Sequence, residues 1–312
     1  MKKLFYIIFL VLWGTNLWAQ QRPQYALYFQ NNYVLNPAIT GIEDFTDAKL
    51  SYRKQWVGIN GSPVTSYFSI QGPINDATKP HAGLGALIVG DKTGPDSRLT
   101  FNGSYAYHIH LSGELRASLG ISAGVTQYTL NTNELNFDQY GGSYDPAVPL
   151  NRASQYIPDL MLGVWVYSQN FYVGGALNQI IPSKLSFGTN LTSNLEKLRP
   201  HTFITGGIKI PMGEDLNFTP SIMIKYISPA PVSYDFNGKF LYRDIFWLGG
   251  SIRRGDGFSL AAGINISTLI NIGYAYDYTT SALQNYTSGS HEIILGLQLG
   301  NYNKARCPKM LW

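Results

Sequence analysis

The stretch Leu115–Thr126, LRASLGISAGVT, alternates apolar and polar residues along its whole length. Its odd positions carry Leu, Ala, Leu, Ile, Ala and Val, and its even positions carry Arg, Ser, Gly, Ser, Gly and Thr. Successive side chains of a β-strand point to opposite faces, so this pattern predicts a strand with one apolar and one polar face. The alternation returns at Leu216–Tyr226, Phe258–Ile266 and Ile270–Tyr276. The chain is therefore predicted to be all-β.

The number and length of such runs favour an antiparallel transmembrane β-barrel. Many runs exceed the roughly five or six residues usual in globular strands, and they reach the roughly nine to eleven that a tilted membrane strand needs. About 14 candidates are found, within a range of about 12 to 16, and an even number suits a closed barrel. They begin near Ala48, Val64, Ala82, Leu99, Leu115, Leu160, Phe171, Phe203, Leu216, Val232, Phe246, Phe258, Ile270 and Ile293.

Composition excludes several protein classes. Of the 312 residues, 45% are hydrophobic and only 13% are charged, against roughly 25% charged in soluble domains. Disorder is excluded by this hydrophobicity, and no stretch after the N-terminus has the roughly 20 apolar residues of a membrane helix. No basic run indicates a nucleic-acid partner. The single cysteine, Cys307, excludes an intramolecular disulfide.

The N-terminus has the features of a secretory signal peptide. Lys2 and Lys3 precede the apolar run Leu4–Trp13, and Ala19 precedes the expected cleavage site. The predicted organisation is a signal peptide at 1–19, an N-terminal plug or periplasmic segment at 20–44, an outer-membrane barrel at 45–301 and a tail at 302–312. The apolar run Leu4–Trp13 could alternatively be an anchor helix, but it is shorter than the roughly 20 residues that span a bilayer.

Connection lengths predict the orientation of the barrel. If the N-terminus lies in the periplasm, every second connection should be a short periplasmic turn. Short connections are found after the fourth, sixth, eighth and tenth candidates, whereas long ones lie at 131–155, 182–200 and 279–290. Aromatic residues near strand ends are typical of membrane-interface girdles, although they would also suit the core of a soluble β-sandwich. They are Tyr105, Tyr107, Phe246, Tyr274, Tyr276 and Tyr278.

Few residues in the sequence suggest a catalytic or metal-binding site. His108 and His110 share one strand face, but without further ligands we interpret them as a polar pair in the lumen rather than a metal site. Arg254–Asp256 spells an adhesion tripeptide in a hairpin turn, where Gly-Asp is ordinary turn chemistry. No G-x-S-x-G motif is present. We therefore assign no catalytic, cofactor-binding or metal residue. Four charged residues on polar faces are expected to point into the lumen: Arg116, Lys225, Asp277 and Glu292.

Short motifs at turns and strand ends run in order along most of the chain. They are QY at 24–25, NPA at 36–38, YRKQW at 52–56, GSP at 61–63, GLG at 83–85, DKTGP at 91–95, FYVG at 171–174, SPAP at 228–231, WLG at 247–249, GYAYDY at 273–278 and SGSHE at 288–292. In this order they resemble the PorP/SprF family of type IX secretion system outer-membrane proteins, found in Bacteroidota.

The resemblance implies an outer-membrane barrel that serves protein secretion. Some members of the family act with the periplasmic ring of the apparatus, and others with one large surface adhesin, as in gliding motility. The family carries no catalytic residues to transfer. Five matching positions are interpreted as barrel-rim or loop-folding residues, with partner contact as a further role: Arg53, Trp56, Asp91, Asp277 and His291.

Three functional hypotheses follow. The first is a non-enzymatic accessory of type IX secretion, whose partners would be translocon and ring components, an exported adhesin or other secreted substrate, and outer-membrane lipid. The second is a porin or small-molecule transporter, which the polar lumen face would also suit. The third, a barrel enzyme, has no residue constellation behind it. The resemblance, and not the strand pattern, favours the first.

Overall fold

A computed structural model of the chain describes residues 23–75, 77, 79–132, 152–185 and 198–300. The predicted signal peptide and the tail, with Cys307, lie outside these residues. Within the described ranges, no helix has both the length and the apolar character that crossing a bilayer requires. The strands are β1 Thr46–Lys54, β2 Val64–Pro73, β3 His81–Thr93, β4 Asp96–Ser112, β5 Leu115–Leu130, β6 Ala153–Tyr167, β7 Phe171–Asn178, β8 His201–Ile208, β9 Ile210–Met212, β10 Leu216–Ile227, β11 Ser233–Tyr242, β12 Phe246–Arg253, β13 Gly257–Asn265, β14 Ile270–Thr279 and β15 Ser290–Leu299.

These strands form one closed antiparallel barrel of 14 strands, as predicted. β1 pairs with β15, from Thr46 opposite Leu299 to Lys54 opposite His291, so no edge is left open there. β8 and β9 are two parts of one barrel strand, because both pair with β10 in the same register. Their interruption follows from Pro220 of β10, which has no N–H to donate at that point of the ladder.

The polarity of the barrel is inverted relative to a soluble protein. Outward-facing Leu119, Leu260 and Ile252 are more than 60% exposed, whereas inward-facing Arg53 and Glu292 are 2% and 1% exposed. A soluble domain would bury the first set and expose the second. This arrangement is that of a barrel with lipid outside and polar groups inside, and it confirms the alternation read from the sequence.

The two ends of the barrel differ. One end, the short-turn rim, carries the connections 113–114, 168–170, 213–215, 243–245 and 266–269, together with the longer 74–80. The other end, the long-loop rim, carries 55–63, 131–152, 179–200, 228–232 and 280–289, together with the short turns 94–95 and 254–256. Among the described residues, the lumen contains three 3-10 helices, Tyr28–Gln30, Asn32–Val34 and Pro37–Ile39, and another, Ala282–Asn285, lies in the last rim loop.

Candidate functional site

Residues 23–45, here called the lumen segment, run inside the barrel from the long-loop rim to the short-turn rim. Near its start, Gln24 accepts a hydrogen bond from Arg253, the last residue of β12. Near its end, the Thr40 and Gly41 carbonyls meet β4 and β3 close to the short-turn rim. Leu27, Ala38 and Ile39 are fully or almost fully buried. The apolar core of the described protein is therefore built around this segment.

Asn36 anchors the middle of the lumen segment. Its Oδ1 caps the following 3-10 helix by accepting from the Ala38 N–H (2.9 Å). Its Nδ2 donates to the carbonyl oxygens of Val164 and Gly175, both at 3.1 Å, on the neighbouring strands β6 and β7. One side chain thus caps the start of this 3-10 helix and ties it to the barrel wall.

Two glycines make room for this anchor. Gly120 of β5 and Gly163 of β6 lie opposite each other in register and face the lumen. A Cβ at Gly120 would overlap the Ala38 nitrogen and the Pro37 carbonyl, and one at Gly163 would overlap the Asn36 side chain. The lumen segment approaches the wall too closely for a Cβ at either position, with its backbone at Gly120 and with the Asn36 side chain at Gly163. We call this pair the glycine slot.

Further polar contacts hold the segment along its length. Ser118 donates to the Ala38 carbonyl (2.6 Å), and Asn178 donates to the Leu35 carbonyl (3.1 Å). The Tyr33 and Ser104 hydroxyls lie 2.6 Å apart. Buried polar groups need partners, and here the lumen face and the segment supply them to each other.

A histidine pair holds the base of the segment. The rings of His81 (β3) and His108 (β4) are stacked, with centroids 4.5 Å apart. Nε2 of His81 donates to the Gly41 carbonyl (2.7 Å), and Nε2 of His108 donates to the Thr40 carbonyl (2.8 Å). Nδ1 of His108 accepts from the Tyr167 hydroxyl (2.8 Å).

The ring that stacks on His108 is therefore that of His81, a residue that the sequence analysis did not single out. His110 lies beyond it, opposite Arg116 and next to an irregularity in the β4–β5 ladder. In the parts of the chain that the structure describes, no group of three or more His, Cys, Asp or Glu side chains is arranged to hold a metal.

A buried ion-pair cluster lies at the opposite end, below the long-loop rim. Arg53 contacts Asp277 (2.6 Å) and Glu292 (3.3 Å), and the exposed fractions of these side chains are 2%, 11% and 0%. Glu292 also accepts from the Ala26 backbone N–H (2.6 Å). A carboxylate buried this deeply needs a cation and hydrogen bonds, and it receives both.

Arg253 is the centre of a second group of charges beside the first. It donates to Asp256 (2.8 Å) and lies 3.4 Å from Asp235, which also contacts Lys225 (2.7 Å). Asp256 ends the tripeptide Arg254–Asp256, which the sequence analysis interpreted as a turn, and Gly255 in that turn has a φ of 79°. The tripeptide therefore forms a tight turn, and its carboxylate is engaged by the barrel's own arginine.

The other three family positions interpreted as rim or loop-folding residues lie at the long-loop rim or next to it. Trp56 donates its backbone N–H to the Ser290 hydroxyl (3.1 Å), and Asp91 accepts from the Thr65 hydroxyl (2.6 Å). His291 lies on the outer face, where its Nδ1 is 2.6 Å from the Tyr274 hydroxyl.

Comparison with known proteins gives one family. The sequence model of the family described as "Type IX secretion system membrane protein PorP/SprF" matches residues 17–297. No curated protein sequence matches the chain.

Several solved outer-membrane barrels are similar in structure. The Ralstonia pickettii toluene transporter TbuX has 12% identity and a TM-score of 0.49, over 87% of this chain and 92% of that one. The CymD monoaromatic hydrocarbon channel has 13% identity and a TM-score of 0.46, over 88% and 92%. The translocator domain of the autotransporter NalP from Neisseria meningitidis has 11% identity and a TM-score of 0.41, over 83% and 89%.

Proposed function

The chain belongs to the PorP/SprF family of type IX secretion system membrane proteins, and from this premise we propose that it is a closed, non-catalytic barrel that supports secretion through protein contacts. Its place is the bacterial outer membrane. In this proposal the lumen segment is a plug, and the two rims bind partners. The signal peptide at 1–19 would direct export of the chain.

The observation that carries the proposal is the filling of the lumen. The lumen segment is buried over most of its length. It is hydrogen-bonded to the wall beside the glycine slot, at the histidine pair, and at Glu292, which accepts from the Ala26 N–H. Several polar lumen groups that would line the channel of a porin, among them Ser118, Asn178 and His108, are used here to hold the segment. A plugged barrel fits an accessory better than a diffusion channel.

The long-loop rim supplies a rigid surface for an exported partner. The loops 55–63 and 280–289 are joined by backbone hydrogen bonds, from Val57 to the Gly289 carbonyl (2.8 Å) and from Ser288 to the Val57 carbonyl (2.7 Å). Tyr286 stands on this platform and is 73% exposed. Exposed tyrosine on a rigid loop is typical of protein-binding surfaces. We assign this rim to an exported adhesin or other secreted substrate, as in gliding, and the short-turn rim to translocon and periplasmic ring components.

Two experiments test the proposal. The folded full-length protein in a planar bilayer should open no stable channel, whereas steady conductance by the wild type would make it a porin or transporter. A gentle-detergent pull-down from the native outer membrane, analysed by mass spectrometry, should recover type IX components or one large exported protein. An unrelated outer-membrane barrel with the same tag is the control. Recovery of the folded barrel alone would contradict the accessory function.

A further inference from the structure

A line of basic side chains crosses the outer face of the barrel where β15, β1, β2 and β3 reach the long-loop rim. Lys54 of β1 lies opposite His291 of β15 on one side and opposite Val64 of β2 on the other. Val64 lies in turn opposite Lys92 of β3. Lys54 continues the outward face of β1, on which Tyr52 is 51% exposed. We call Lys54, Lys92 and His291 the basic row.

The basic row is compact and carries cationic groups without a carboxylate among them. Opposed residues of an antiparallel pair have Cβ atoms roughly 4.5–5.5 Å apart, and two strand spacings of about 4.8 Å separate Lys54 from Lys92. The flexible stems of two lysines can therefore bring both ammonium groups to one anion. The cross-strand positions at this level are in register and none is acidic: Tyr276, His291, Lys54, Val64, Lys92 and Ser97.

Two members of the row have donors that face outward. In the described part of the chain, Lys54 takes part in no ion pair. Nδ1 of His291 lies 2.6 Å from the Tyr274 hydroxyl. When this nitrogen accepts from the hydroxyl, Nε2 carries the ring proton and is a donor. An acceptor on the outer surface therefore meets an ammonium group and an imidazole N–H side by side.

Below the basic row, the outer surface changes from small and polar to apolar. The next outward level holds Tyr52, Ser66 and Gly90, in register with one another. A Cβ at Gly90 would have only the Ser66 hydroxyl within 4 Å, so the surface there is open and shallow. The level after it is apolar, with exposed fractions of 52%, 41% and 38% for Leu50, Phe68 and Ile88. Cations above an aromatic ring and an apolar surface match the headgroup and the acyl chains of a lipid.

The same strands carry no cation at the outward positions of their short-turn ends. There, Thr46 lies opposite Leu299, and Gly72 lies opposite Leu84. On these strands the outward positive charge is therefore found at one membrane interface and not at the other. The interface that has it is the one at the long-loop rim.

We propose that the basic row binds the phosphate of a phosphorylated lipid in the outer leaflet of the outer membrane. Lysine ammonium groups bind phosphate as point charges, and each lysine near an anionic membrane surface strengthens binding by about fivefold. A lipid fits better than free phosphate, because the apolar surface continues directly below the cations. The choice of leaflet rests on the proposed function, which places the long-loop rim outside, but the headgroup site does not.

Binding of lipid A, a phosphorylated glycolipid, to the folded full-length protein in detergent tests the site. The probes are diphosphoryl lipid A and the same lipid without its phosphates, and binding is measured by native mass spectrometry. The diphosphoryl lipid should bind at least about tenfold more tightly, as expected for charge-assisted hydrogen bonds. Inorganic phosphate at the same concentration should not displace it. Equal binding of the two lipids, or displacement by inorganic phosphate, would overturn the proposal.

Variants place the binding at the basic row. Lys54→Gln and Lys92→Gln should each weaken binding of diphosphoryl lipid A by about fivefold, and the double variant by about twenty-fivefold. Lys184→Gln is the matched control, because it removes an exposed lysine of the same rim that lies outside the row, and it should bind like the wild type. A heat-dependent shift in gel mobility checks that each variant is folded. Unchanged binding by the double variant, or an equal loss in Lys184→Gln, would refute the site. Loss of partners in the pull-down with lipid binding intact would count against the accessory function only.

Discussion

Replacing Gly120 with alanine should displace the lumen segment from the barrel wall and open the barrel. The added Cβ would lie within 3.0 Å of the Ala38 nitrogen and of the Pro37 carbonyl group, closer than Cβ atoms approach other atoms. Because all these atoms are backbone, no side-chain rotation relieves the overlap. The segment must retreat by about 1 Å to restore ordinary contact.

The cost follows from the hydrogen bonds that this retreat breaks. The Ser118 bond to Ala38 and the two Asn36 bonds to the wall are each worth about 1 kcal/mol. Overpacking at a backbone contact adds about 1–3 kcal/mol. The seated state is thus destabilised by about 4–6 kcal/mol, which lowers its population relative to the open state by roughly a thousandfold to twenty-thousandfold.

The assay is single-channel recording in planar bilayers. Folding is checked by heat modifiability, which is the change in gel mobility that occurs when a folded barrel is unfolded by heating. Gly103→Ala is the matched control, because Gly103 faces outward from β4 and its nearest neighbouring atom would be 4.0 Å from the new Cβ. We expect frequent openings for Gly120→Ala and none for Gly103→Ala. If Gly120→Ala folds and stays as silent as the control, the glycine slot does not seat the plug. Gly163→Ala then provides a second test at the facing position.

Three further predictions concern other contacts. Asn36→Ala removes three hydrogen bonds and should weaken closure of the barrel by roughly 2–3 kcal/mol, which would be seen as brief channel openings. A variant as silent as the wild type would show that Asn36 does not contribute to closure. Arg53→Ala leaves Asp277 and Glu292 without this cation and should destabilise the barrel by about 3–5 kcal/mol, lowering the temperature of the gel shift, whereas Arg53→Lys should lower it less. Tyr286→Ser should reduce capture of the exported partner in the pull-down at an unchanged gel-shift temperature; undiminished capture would exclude Tyr286 from the interface.

The strands could be predicted because their signal is local. Alternation in Leu115–Thr126 depends only on the two-residue repeat of a strand, and the lipid outside and polar lumen inside maintain that repeat along the barrel. The interruption between β8 and β9 also has a local cause, because Pro220 has no N–H to donate. Its effect, however, is on the strand that pairs with β10 and not on β10 itself.

The contacts of the site were less accessible to sequence analysis. His108 was visible as half of a pair with His110, yet its actual partner, His81, comes from the neighbouring strand. Gly120 and Gly163 look like any other small residues on a polar strand face. Only the β5–β6 register puts them opposite each other and under Asn36.

Short-range patterns and ordered motifs in the sequence were enough to predict the β-barrel, its approximate strand number, the alternation of turn lengths and the family. The sequence left open whether residues 20–44 fill the lumen or project from it, since a segment without alternation carries no periodic signal of its location. Tertiary structure alone decided the path of residues 23–45 through the barrel. That path depends on glycines, histidines and charges from separate strands, which become neighbours only after the barrel has closed.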